Sequence, residues 1–341
     1  MERVIHDYRP MHDATGEIPS GIEPQAAPAP RIAMIHNPRS HRNQGSPAET
    51  VAGADVRLVQ PCTKEELAAE LADLARSGID LLVISGGDGT IRDVLTLGQP
   101  VFGSQWPVLA IVPQGKTNAL KIDLDLPAQW GLAEAVAAYR SGKRARRRAL
   151  TVVEAQRKDA VPMLGFVLGA GAFTLGIEAG QEAHRMGFFN SLAVGATAAW
   201  GVMQVLFSSN DNRWRRGTRM ELAFEPSGEA MPHSRHGAPD RRHIMLASTF
   251  ERLPGNIQLF GKRQAPIRLA VLDRPRRRIF AVLPAILAGW HPRWLAGEGL
   301  HHISAEAFSF DVEEPFILDG EHFPAGRYVV GQGPEMEFVT A

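Results

Sequence analysis

The run Ser85-Gly86-Gly87-Asp88-Gly89-Thr90 constrains this 341-residue chain more than any other feature. It follows an apolar, strand-like stretch over residues 79–84 and precedes a helix-like one over 91–97. Three glycines within four residues permit a tight turn and a close approach of the backbone to a ligand. Successive N–H groups there, backed by a helix N-terminus, form a concave anion site. A phosphate is its natural occupant. Asp88 then reads as an orienter or an indirect metal holder, because a carboxylate beside a phosphate needs a cation between them. A ligand-free βα turn has the same local composition. The run has neither the Walker pattern nor the spacing of the dinucleotide fingerprint.

The surrounding pattern alternates strands with helices. Residues 31–36 read as a first strand, ended by Asn37-Pro38, and 55–59 as a second. A helix is expected over 64–77, with Thr63 and Glu66 as a capping box, Leu67, Leu71 and Leu74 on one face and Gly78 as its stop. Residues 108–112 give a fourth strand, and 128–139 an amphipathic helix closed by Gly142. Such spacing indicates a doubly wound parallel sheet with helices on both faces. After about residue 145 the strands, at 148–156, 163–168, 218–224, 243–248, 268–272 and 301–310, are mostly separated by turns. That implies a mainly antiparallel, sandwich-like second domain, with 180–207 as its principal helical insertion and 227–242 as a long polar loop.

The expected organisation is a flexible leader over 1–30, an α/β nucleotide-binding domain over 31–145 and a β-rich domain over 146–310. The segment 311–341 returns to the cleft between them. The leader lacks the apolar core of a secretory signal. Residues 186–207 are uncharged for long enough to be weighed as a membrane span, but their polar and small residues make insertion weak. A single cysteine, Cys62, excludes an intramolecular disulfide and fits a reducing compartment.

Two later motifs carry chemistry. Pro113-Gln114-Gly115-Lys116-Thr117-Asn118 closes the fourth strand at the edge where open α/β sheets bind ligands, and Lys116 can meet a phosphate as a point charge. Phe316-Ile317-Leu318-Asp319-Gly320-Glu321 is locally a hairpin signal. Its two carboxylates astride a glycine also suit a general base with a metal or hydrogen-bond partner.

Together, Gly86-Gly87-Asp88-Gly89-Thr90, the Pro113/Gly115/Asn118 turn and Leu318-Asp319-Gly320-Glu321 resemble the diacylglycerol kinase catalytic-domain family, which includes bacterial diacylglycerol, sphingosine and ceramide kinases. Asn37-Pro38, with Ser40 and Gly45 beyond, resembles its first nucleotide-side motif. The resemblance implies a two-domain lipid kinase that takes ATP and Mg²⁺ in the interdomain cleft and phosphorylates a lipid hydroxyl. It implies that Gly86, Gly87, Asp88, Gly89 and Thr90 hold the phosphates, and that Asn37 and Asn118 line the nucleotide site, with Gly115 and Lys116 beside them. Asp319 would accept the lipid hydroxyl proton, with Glu321 next to it. Phosphoryl transfer asks for positioning and charge neutralisation, so this set is chemically coherent. The chain departs from the family where Lys116 replaces a threonine, His41 a glycine and Arg92-Asp93 the common Asn-Glu. Those departures suit a divergent branch. No metal ligand is assigned.

Formal net charge is zero, yet residues 141–280 hold a surplus of about 12 positive charges. Three basic clusters stand out, at 143–148, 213–216 and 274–278, with Trp214, Phe280, Trp290 and Trp294 in or near them. Arginine favours anionic headgroups and tryptophan the interface. The expectation is a cytoplasmic kinase attached peripherally to the inner face of a membrane, acting on diacylglycerol or ceramide, with no nucleic-acid partner. The alternatives are an NAD kinase-like enzyme and a non-catalytic nucleotide- or lipid-binding regulator on the same fold. The histidines, including His233, His236, His243, His301 and His302, lack zinc-protease spacing and read as surface or strand residues.

Overall fold

The computed structural model describes residues 29–43, 51, 54–157, 159, 161–176, 216–260 and 266–341. The leader up to residue 28, Gly45, the insertion expected at 180–207 with its candidate span, and Arg213, Trp214 and Arg215 lie outside the described residues.

Strands β1 (Ile32–His36), β2 (Val56–Val59), β3 (Leu81–Gly86) and β4 (Val108–Pro113) pair in parallel in the order β2-β1-β3-β4. Both faces are covered, which is why these strands read as continuous apolar runs. Ala33, Ile35, Leu82 and Ile84 pack with α1 (Lys64–Ser77) and α2 (Asp88–Phe102). Their neighbours Met34, Leu81 and Val83 pack with Leu132, Ala135 and Val136. The expected cap of α1 is present: the Glu66 N–H donates to Thr63 Oγ1 at 3.1 Å, and Gly78 ends the helix at φ 68°. The Glu66 carboxylate reaches one residue further back, to the Cys62 N–H at 2.7 Å.

After the short α3 (Ala119–Asp123), α4 spans Leu132–Arg140 and not 128–139. The Glu134 carboxylate accepts the Gly131 N–H at 2.9 Å, which sets the helix start at that turn. Asp123 ends α3 fully buried. It accepts from Arg147 Nε at 2.5 Å and from the N–H groups of Glu251 and Arg252 at 2.6 and 2.9 Å. One carboxylate thus ties α3 to β5 (Arg144–Glu154) and to a loop of the second half of the chain. Asp123→Ala would leave a mostly buried arginine and two amides short of their acceptor. We expect a loss of about 3 kcal/mol, the scale of breaking a buried pair from one side, read as a lower urea midpoint with unchanged slope.

The second half is built from β6 (Met163–Gly165), β7 (Val167–Gly171), β8 (Thr218–Phe224), β9 (Arg241–Arg242), β10 (Ile244–Ser248) and β11 (Ile267–Leu272). Then come helices α5 (Arg277–Leu287) and α6 (Trp294–Gly297). Strands β12 (Leu300–Ala305), β13 (Phe308–Val312), β14 (Phe316–Leu318), β15 (Glu321–Phe323) and β16 (Gly326–Val339) complete it. A six-stranded antiparallel sheet runs β12-β11-β10-β7-β14-β15. It faces the antiparallel part of a ten-stranded sheet. Leu168, Met245, Leu269 and Phe316 of the first meet Leu150, Phe310 and Val330 of the second. This is the expected α/β half followed by a β-rich, sandwich-like half.

The C-terminal strand makes the two halves continuous. β16 lies parallel to β4 through Phe338 and Leu109, and pairs antiparallel with β5 and β13. Two stretches expected as single strands are in fact pairs. Residues 301–310 split into β12 and β13, and 163–168 into β6 and β7, each pair divided between the two sheets. A strand that turns a corner between packed sheets keeps its apolar character on both sides, so no sequence break marks the bend. The second corner falls at Phe166, next to the site.

Candidate active site

In a parallel sheet all carboxyl ends lie on one edge. Strand order reverses at β1, with β2 added on one side and β3 on the other, so a crevice opens at that edge between β1 and β3. Asn37 follows β1 and the glycine run follows β3, placing both at this switch point. The Asn37 N–H donates to the Ser85 carbonyl at 3.0 Å, and its Nδ2 to Thr90 Oγ1 at 2.8 Å. Asn43, buried and unmarked by any sequence motif, braces the pair by donating to the Asn37 carbonyl at 2.8 Å.

The glycine turn packs backbone against backbone on the turn after β4. A Cβ on Gly115 would lie 2.7 Å from Gly87 Cα, and one on Gly86 would run into the Thr90 side chain at 2.5 Å. Gly89 differs: a Cβ there meets nothing nearer than Glu321 Oε1 at 3.8 Å, so packing alone does not demand glycine. Gly87 is the N-cap of α2 and supplies no side-chain cap. The first turn of α2 therefore presents amides and open space, which fits a phosphate.

Asn118 stands at φ 51° and folds back on its own turn: its Oδ1 accepts the Gly115 N–H and its Nδ2 donates to the Gly115 carbonyl, each at 2.8 Å. Burial pushes the Asp88 carboxyl above the usual carboxylate range, opposed by the nearby backbone N–H groups of Ala119, Leu120 and Asn118. Asp88 thus faces the start of α3 from the glycine turn. Lys116 and Thr117 are exposed at the tip of that turn.

The β14–β15 hairpin forms as its Asp-Gly signal implies, with Leu318 opposite Glu321 and both turn residues at positive φ, 46° for Asp319 and 85° for Gly320. This turn delivers Asp319 to the Phe166 corner. The Phe166 N–H donates to both carboxylate oxygens at 3.0 Å and the Val167 N–H to one at 2.9 Å. Burial still pushes the carboxyl up to about 7, helped by the nearby Asp88 charge and opposed by those amides and by Arg92. Such a group exchanges a proton near neutral pH. Asp88 and Asp319 both line an apolar cavity of about 370 Å³, within the usual range of ligand pockets. Phe166, Phe173, Phe250, Ile257, Phe260 and Leu287 line its length.

Residues 31–154 match the family described as the diacylglycerol kinase catalytic domain. This segment belongs to the diacylglycerol kinase catalytic-domain family. That is a family of lipid kinases. No curated protein sequence matches the chain. Among solved structures the chain is similar to the crystal structure of a "putative diacylglycerol kinase" from Bacillus anthracis str. Sterne, at 15% identity and a TM-score of 0.63 over 92% of this chain and 98% of that one. It is also similar to the structure of a diacylglycerol kinase from the same organism, at 13% identity and a TM-score of 0.58 over the same shares. At these identities the likeness is one of fold.

The diacylglycerol kinase domain carries its departure, Arg92-Asp93, at the heart of the site. Arg92 is buried on α2, pairs with Asp93 at 2.7 Å and Glu321 at 2.6 Å, and donates to the Leu318 carbonyl at 3.4 Å. It ties α2 to the hairpin that presents Asp319 and holds Glu321 at the surface, where that side chain is 55% exposed. Arg92→Leu removes charge-assisted bonds of which the two carboxylate partners, Asp93 and Glu321, can still reach water. We expect about 2 kcal/mol lost, below a fully buried pair, measured as a lower melting temperature.

The basic cluster at 143–148 lies on β5 and is used within the protein. Arg146 pairs with Glu335 and Glu337, Arg148 with Glu335 and Arg147 with Asp123, while Arg144 covers the Tyr139 ring. No described helix is long and apolar enough to cross a membrane.

Proposed function

We propose that this protein is an ATP-dependent lipid kinase that phosphorylates a hydroxyl of diacylglycerol or ceramide. The observation that carries the reading is the apolar cavity lined in part by Asp319, a carboxylate set to take a proton near neutral pH. ATP phosphates would lie on the first turn of α2, held by the Gly87–Thr90 amides, with Asn37 and Asn118 shaping the two flanking turns and Lys116 free to reach the phosphates as a point charge. The lipid would enter with its chain along the aromatic wall and its hydroxyl at Asp319. As the hydroxyl oxygen bonds to the γ-phosphorus, its proton passes to the Asp319 carboxylate and the bond from phosphorus to the ADP oxygen breaks.

Mg²⁺ would neutralise charge developing on the phosphates. Asp88 supplies the oxygen-donor chemistry such an ion takes. Among the described residues no three His, Cys, Asp or Glu side chains converge as a metal group, so its remaining ligands would be phosphate oxygens and water. An NAD kinase-like enzyme would put a polar, highly charged acceptor in this cavity, which its aromatic and aliphatic walls do not favour. A non-catalytic regulator would have no use for the proton acceptor. The reading also carries the expected cellular place, the cytoplasmic face of a membrane.

The test supplies labelled ATP with short-chain diacylglycerol or short-chain ceramide in mixed micelles. Label should move to one of these lipids. Transfer to NAD in their place, or nucleotide binding with no transfer to any lipid, would overturn the proposal.

A further inference from the structure

We propose that the face formed by α5, Trp290, Trp294 and Ile257 docks on an anionic bilayer and opens the apolar cavity toward it. The inference rests on the lipid-kinase reading above and names the surface that serves that site. Six large hydrophobic side chains are strongly exposed among the described residues, and three of them, Ile257, Trp290 and Trp294, belong here. The two indoles meet edge to face at 6.0 Å, with Trp290 49% and Trp294 42% exposed. Ile257 lines the cavity as well as facing solvent. The next residue, Gln258, donates its N–H to the Leu287 carbonyl at the end of α5 at 2.9 Å, and Leu287 also lines the cavity. Ile257 and the end of α5 therefore border the cavity, with Trp290 three residues beyond Leu287.

α5 buries Ile279 and Ile286 and leaves Ala281, Pro284, Ala285 and Ala288 toward solvent, an uncharged strip between the arginines and the tryptophans. Charge selects the occupant. Residues 277–297 contain Arg277, Arg278 and Arg293, all exposed, and no carboxylate. Glu298, just beyond, is engaged by Arg276 and Arg278. Tryptophan favours the headgroup level, arginine is drawn to anionic lipid, and a helix of this length lies in the interface and does not span it. A bilayer also delivers the acceptor where the cavity opens.

The experiment measures co-sedimentation, without ATP, on vesicles of phosphatidylcholine alone or mixed with phosphatidylglycerol. Wild type should bind the mixed vesicles better and lose much of that gain in high salt, as the Debye length falls from about 10 Å at 0.1 M to 3 Å at 1 M. The double variant Trp290→Ser/Trp294→Ser should bind both at least tenfold less tightly and keep its activity on a dissolved short-chain lipid. A second readout avoids substitution of the tryptophans. An environment-sensitive dye at Ala285→Cys, in a Cys62→Ser background, should shift to the blue on vesicles, while one at Ala69→Cys on α1 should not. Vesicle binding that ignores the double variant, an equal dye response at both positions, or a dimer that the double variant dissociates would each overturn the docking face, the last by assigning it to a second copy of the chain. Vesicle docking by this face without lipid phosphorylation would keep the docking and overturn only the kinase reading.

Discussion

Asp319→Asn is expected to lower kcat by about 10²–10⁴, the usual cost of removing a positioned general base, with ATP affinity within about twofold of wild type. The substitution is close in shape. An asparagine Oδ1 can still accept the Phe166 and Val167 amide protons that hold the carboxylate, so the hairpin should keep its place. What disappears is the ability to take the lipid proton. The pH profile separates that loss from a structural one. Desolvation holds the carboxyl at about 7, and only the ionised form is a base. Wild-type kcat should therefore fall about tenfold per unit below that pH and level off above it. Residual activity of Asp319→Asn should lack this limb. Near wild-type kcat would remove Asp319 from the role and point to Glu321. A limb that persists in the variant would assign the titration to another group. Arg92 makes Glu321 the weaker candidate, since an ion pair at 2.6 Å already engages its carboxylate.

The parts legible in sequence were those set by local rules. Parallel strands covered on both faces must be continuously apolar, so the runs 79–84 and 108–112 announced the strands that span Leu81–Gly86 and Val108–Pro113. Thr63 and Gly78 bounded α1 because caps follow backbone chemistry. Asp319-Gly320 marked a hairpin because few other pairs accept positive φ twice in succession. Long-range partners were not legible. The Phe166 N–H became available to Asp319 only because the chain turns between two sheets there, and alternation reads straight through that corner. The same blindness merged β12 with β13. Charge alone also did not show that pairing with β16 brings the arginines at 146 and 148 opposite Glu337 and Glu335. The cavity joins residues from 88 to 320, beyond the reach of any motif. Arg92 was visible as a departure from the family pattern. Its bond to Glu321 explains how a longer, charged side chain is accommodated: the hairpin answers it with a carboxylate.

Gly87→Asp is expected to weaken ATP binding by about 10²–10³-fold while the fold survives. Gly87 sits at φ −93° and ψ −178°, extended backbone that any residue can adopt, so the change introduces no dihedral strain. The new Cβ would lie 3.1 Å from Gly115 Cα, which asks the two turns to part by a few tenths of an ångström. Aspartate is a favoured N-cap, and its carboxylate would accept from the same first-turn amides proposed to hold phosphate. The helix would thus gain a cap and the nucleotide would lose its donors. The carboxylate also puts like charge beside the triphosphate, a repulsion of about 4 kcal/mol for unit charges 4 Å apart at an effective dielectric constant of 20. Gly87→Ala separates the contributions, because it keeps the crowding against Gly115 without the charge or the cap and should cost far less affinity. Titration calorimetry with a non-hydrolysable ATP analogue reads both variants, and thermal melting checks the fold. Equal losses in the two would make crowding the cause. Unchanged affinity in a folded Gly87→Asp protein would move the nucleotide off this helix altogether.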